Sequence, residues 1–75
     1  MMKKNIYVLL LDEGIRVFRP VLATKLSNNV YKIDESNIYD QEDEVWEFPP
    51  GTRVLVEEEY LNDDLELVAV SRLHD

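Results

Sequence analysis

The chain has no cysteine, a single histidine and only two glycines, and its longest apolar run stops far short of membrane-spanning length. Each shortage excludes something. Without cysteine there is neither the disulfide framework that staples small secreted domains nor a thiolate zinc site, so a reducing, cytoplasmic home is expected. The lone histidine, His74, is the penultimate residue, where chains fray, and it has no second histidine to build a metal or nucleophile–base site with. Gly14 and Gly51 are too few for a P-loop or a dinucleotide fingerprint. A carboxylate acting as base for Ser27, Ser36 or Ser71 is the only nucleophilic arrangement left. The expectation is therefore a non-enzyme with no catalytic residue, no cofactor and no metal.

What is present is a single small domain. Seventy-five residues hold one core at most. A chain of this size hides only about 60% of its unfolded surface, so that core must be thin. Apolar residues make up 45% of the chain, without low-complexity tracts, which favours a folded domain over disorder. The basic start, Lys3-Lys4, is followed by six apolar residues that run into Asp12-Glu13, a pattern too short for a leader and better suited to a strand.

Charge is unevenly spread. The net charge is −8, yet residues 1–33 carry six basic and two acidic side chains, while residues 34–75 carry two basic and fourteen acidic ones. An acidic surface repels phosphate backbones and anionic bilayers, so neither direct nucleic-acid binding nor membrane binding is expected. The partner is expected to be another protein, most simply a basic one.

Turn chemistry divides the chain into strands. Asp12-Glu13-Gly14, Ser27-Asn28-Asn29, Pro49-Pro50-Gly51 and Asn62-Asp63-Asp64 punctuate β-rich runs. Pro50 fixes φ at one corner and Gly51 admits positive φ at the next, which predicts a type II turn. Strands are expected over residues 6–11, 15–26, 30–33, 52–60 and 65–72, with Pro20 marking a bend, a bulge or an edge. Residues 34–48 are less regular. Ile38, Glu42, Val45 and Trp46 fit one helical face and Ser36 is a fair N-cap, but the acidic run over residues 40–44 repels itself. A long loop, with at most one helical turn, leading into a short strand at residues 45–48 fits better. The predicted fold is all-β: a five-stranded, antiparallel, SH3-like barrel with one long acidic loop.

Leu10-Leu11-Asp12-Glu13-Gly14, then V-x-RPV-x-A from Val17 to Ala23, then Val30-Tyr31-Lys32-Ile33, then WEFPPGTRV from Trp46 to Val54 resemble a family of small standalone bacterial proteins of unassigned function. The resemblance covers about residues 7–58. It implies an SH3-like barrel and supplies neither an activity nor any site residue.

Candidate contact residues follow from exposure and charge. Asp40, Glu42, Asp43 and Glu44 form an acidic run, but counting from Asp40 the sixth position of an EF-hand loop is Val45, where glycine is required. A solvated loop or a surface for a basic partner is the better account. Glu57 and Glu59 extend that acidic surface along a strand. Tyr39 and Trp46 are candidate groove aromatics, although a core this thin has its own need for Trp46 and Phe48. Residues 6–11 and 67–70 are apolar on both faces, so either the long loop or another chain covers the second face, and a homodimer through the first and last strands is one solution. Three functions remain open: a non-catalytic protein-binding module, an acidic inhibitor or immunity-type protein occupying the basic site of a nucleic-acid enzyme, and a small structural subunit of a larger assembly.

Overall fold

The computed structural model describes residues 2–74. It is all-β, with six strands in one sheet: β1 (Lys3–Leu11), β2 (Val17–Ser27), β3 (Val30–Ile33), β4 (Val45–Trp46), β5 (Arg53–Leu61) and β6 (Asp64–Arg72). Their order is β2-β3-β5-β6-β1-β4, with a further pairing between β1 and β2. The sixth strand beyond the five long runs is β4, where Val45 and Trp46 pair with Leu11 and Leu10. All neighbours are antiparallel except β1 and β6, which meet in parallel at Tyr7 and Val68. That exception is forced. Four successive reversals, from β1 through β2, β3 and β5 to β6, bring the last strand back to the direction of the first.

Local chemistry explains the connections. Gly14 and Asp12 take positive φ at the β1–β2 loop, and Asn29 does so between β2 and β3. Gly51, at φ 90°, sits at the third position of the turn closed by Thr52 N–H donating to Pro49 C=O at 3.2 Å, the type II geometry read from Pro50-Gly51. Asn62 and Asp63 both have positive φ between the paired residues Leu61 and Asp64, a two-residue type I′ hairpin that matches strand twist.

Pro20 sits inside β2 without shifting its register against β1. Here β2 is an edge, because its ladder with β3 runs only from Ala23 onwards, and an edge tolerates the missing N–H. The register does shift at Leu26, between Lys25 and Ser27 of β2, and at Val70 of β6, opposite the step from Leu55 to Val56.

The core lies against one face of this sheet. Ile6, Val8 and Leu10 of β1 face Val21 and Ala23 of β2, Tyr31 and Ile33 of β3, Val54 and Val56 of β5, and Ala69 of β6. Trp46 and Phe48 complete it from the long excursion between β3 and β5. That excursion is pinned where it leaves and where it returns: Gly51 N–H donates to Ile33 C=O at 2.7 Å, and Ile33 N–H to Thr52 C=O at 2.9 Å. Between these points one hydrogen-bonded turn forms, with Asp43 and Glu44 N–H both donating to Asp40 C=O at 3.0 Å. No helix forms among the described residues, and none there is long and apolar enough to cross a membrane. Asp40, Glu42 and Asp43 keep their charges in solvent, while Trp46 is spent on the strand pairing.

Candidate functional site

The excursion is fastened by polar contacts at three places. Asp34, only 8% exposed, accepts from Thr24 Oγ1 at 2.7 Å and from Lys3 Nζ. Asn37 acts as a surrogate strand: its Oδ1 accepts from Leu22 N–H at 3.0 Å, while its Nδ2 donates to Leu22 C=O at 2.9 Å and to Asp34 C=O at 2.7 Å. It thereby closes the edge of β2 just past the end of β3. Glu44 accepts from Arg19 Nε and from the Trp46 indole N–H, the latter at 3.2 Å.

These contacts set the titration of two carboxylates. Hydrogen bonds from Lys3 and Thr24 lower the Asp34 pKa from its ordinary value, and those from Arg19 and Trp46 lower that of Glu44. A folded-state carboxylate pKa below its unfolded value stabilises the fold above the unfolded value, and that contribution disappears as pH falls through the folded one. We therefore expect Asp34→Asn to narrow its stability gap from the wild type as pH falls below 3.8, the ordinary Asp value. Paired urea titrations from pH 7 down to pH 2.5 measure it, and a pH-independent gap would remove Asp34 from the account.

The residues singled out for partner contact fall into two groups. Asp40, Glu42 and Asp43 are exposed in the turn of the excursion, where Glu42 N–H donates to Asp40 Oδ1 at 2.9 Å. Glu44 is half-buried and engaged with Arg19 and Trp46. Trp46 is 4% exposed and part of the core. Tyr39 packs beside it, with ring centroids 4.6 Å apart at 45°, and its hydroxyl accepts from Trp46 N–H at 3.2 Å. This aromatic pair secures the excursion to the core and leaves no indole surface for a ligand. Glu57 is exposed and Glu59 half-buried, and both lie on β5.

Glu57 and Glu59 lie on the outer face of the sheet, next to a groove that neither of them lines. Along β1, Tyr7 and Leu9 point away from the core, opposite Pro20 and Phe18 of β2. Tyr7 also meets Val68 of β6. On that same outer face Glu57 pairs with Val68, Glu59 with Glu66 and Leu61 with Asp64. The β5–β6 hairpin overhangs this face and leaves a groove of about 420 Å³, lined by Tyr7, Arg16 and Phe18 on one side and by Leu61, Asp64 and Glu66 on the other. Tyr60, 74% exposed, stands at its margin. Burial, together with the negative charge of Glu66 and Asp64, raises the Tyr7 phenol pKa above 10.0. Part of the second apolar face of the first and last strands is thus covered by the chain's own hairpin, and Val68 is buried there. Leu11 and Pro20 stay exposed.

Sequence reasoning did not find the groove aromatics Tyr7, Phe18 and Tyr60, because they sit at ordinary strand positions far apart in the chain. The usable signal was the doubly apolar first strand, whose outer residues had to meet something. Among the described residues, no three acidic, histidine or cysteine side chains are placed to hold a metal ion. No family model, curated protein or solved structure matches the chain.

Proposed function

We propose that the chain is a five-stranded SH3-like barrel, with β4 as an accessory strand, that works as a non-catalytic protein-binding module. The return pairing of β1 with both β2 and β6 supports closure, since it leaves the ladder β1-β2-β3-β5-β6 as a ring. The observation that carries the binding role is the groove under the β5–β6 hairpin. Its aromatic floor and carboxylate wall make a concave surface in which Asp64 and Glu66 outnumber the single cation, Arg16, and no basic residue occurs anywhere from 54 to 71. Such a surface suits a basic segment of another protein, and its field speeds encounter.

Glu59 and Glu66 sharpen this reading. They lie directly opposite one another, and like charges in such a pair cost stability. A binding role accounts for keeping them. Glu59→Lys is therefore expected to stabilise the fold by about 0.2–1 kcal/mol while weakening capture of the partner. The measurement is a urea midpoint together with affinity capture at low and high salt, using nuclease-treated lysate. A partner held equally by wild type and Glu59→Lys, and retained at high salt, would replace this reading with the structural-subunit one. The acidic-inhibitor reading uses the same surface, and it is favoured if the captured protein is a nucleic-acid enzyme released by salt.

A further inference from the structure

The groove already holds a cation. Arg16 lies just before β2, two residues from Phe18 and therefore on the same side of the extended chain. Its guanidinium carbon is 5.3 Å from the centroid of the Phe18 ring. That is within the range where a cation is drawn to the negative face of an aromatic ring. Arg16 is solvent-exposed, and it shares the groove with Asp64 and Glu66.

The same groove has more negative charge than Arg16 can answer. Asp64 and Glu66 line it, and Glu59 stands across the ladder from Glu66 on the same face. Tyr7 forms the floor between them and feels that charge, since Glu66 and Asp64 disfavour its phenolate. A flat aromatic floor bounded by carboxylates suits a guanidinium better than an ammonium. The planar fork can lie on a ring face while its N–H groups point at carboxylate oxygens, whereas an ammonium is a compact and more strongly hydrated charge.

Resting on the binding-module reading, we propose that the groove receives an arginine side chain from an extended, positively charged segment of a partner protein, and that Arg16 is its intramolecular stand-in. The partner's arginine lies over Phe18 in the position Arg16 now holds, with its N–H groups directed to Glu66 and Asp64. Arg16 swings into solvent when the groove fills. Its stacking is an exposed contact and is cheap to give up. It keeps the aromatic floor covered in the free protein.

The test is a titration of the isotope-labelled full chain, followed by amide chemical shifts, with three capped pentapeptides. Each has glycine and serine around one central residue: arginine, lysine or the uncharged isostere citrulline. The arginine peptide is expected to shift Tyr7, Phe18 and Glu66, and to bind about tenfold more tightly than the citrulline peptide, with lysine in between. Arg16→Ala is expected to tighten the arginine peptide about two- to fivefold, the loss of a competing exposed cation–π contact. Glu66→Gln should weaken it while leaving the fold intact.

Equal binding of the arginine and citrulline peptides, or an Arg16→Ala variant that binds more weakly, overturns the proposal. Shifts confined to the Asp40–Glu44 turn overturn it as well. The binding-module reading fails separately, if the partner captured from lysate is indifferent to Glu59→Lys.

Discussion

Trp46→Ala is expected to lose about 3–5 kcal/mol of folding stability. A domain of this length has only roughly 4–11 kcal/mol to lose, so much of the variant should be unfolded in mild urea. The indole is the largest side chain in the core and bridges two parts of the chain, pairing with Leu10 on β1 and packing at a tilt against Tyr39 of the excursion. Its removal leaves a cavity and releases Tyr39 and Glu44 together. The Arg19–Glu44 ion pair contributes far less. It is a largely exposed contact of the kind worth about 0–1 kcal/mol, so Arg19→Ala should shift the urea midpoint only slightly. Trp46→Phe, which keeps most of the volume and drops the N–H donated to Glu44, should fall between the two. Were Trp46→Ala to leave stability unchanged, Trp46 could not be the core residue described here.

Asn37→Ala is expected to cost roughly 1–3 kcal/mol, the penalty for stranding polar groups that had partners. Three hydrogen bonds end on this one side chain. Leu22 C=O retains a donor in Asp34 N–H, at 3.0 Å, whereas Leu22 N–H loses the acceptor Asn37 supplied. The Leu22 amide should therefore change from slow to fast hydrogen exchange, with its neighbours in the β1 ladder much less affected. Asn37→Asp separates the roles, since an aspartate still accepts from Leu22 N–H but cannot donate to Leu22 or Asp34 C=O. Slow exchange at Leu22 in Asn37→Asp, together with reduced stability, is the expected pattern. Unchanged exchange in Asn37→Ala would mean that the excursion holds the β2 edge by other contacts.

Both predictions concern the segment that was hardest to read in advance. The helical spacing of Ile38, Glu42, Val45 and Trp46 was real but irrelevant, because Ile38 ends 96% exposed while Trp46 is buried. Nothing in the neighbourhood of Asn37 announced that its amide would imitate a strand. An Asn three residues after an Asp is common in loops, and its partner Leu22 lies fifteen residues away. Arg16 and Phe18 were likewise ordinary strand residues until the β5–β6 hairpin was placed over them.

The parts of the chain that could be read without coordinates depend on short-range physics. Positive φ at Gly14 and Gly51, the Pro50-Gly51 corner, the turn at Asn62-Asp63-Asp64 and the alternation of Val54 and Val56 against Arg53 and Glu57 follow from steric rules that act over two to four residues. The all-β class follows from them too. Long-range geometry decided the rest. The parallel meeting of Tyr7 with Val68 brings the outer residues of β1 and β6 together, and the path of the last hairpin places Asp64 and Glu66 in one groove with Phe18. Burial decided which aromatic packs into the core and which stays half-exposed, and burial depends on what distant segments cover. A sequence displays the side chains of Trp46 and Phe18 equally plainly. Only the path of the backbone between them seals one in the core and leaves the other at the floor of an open groove.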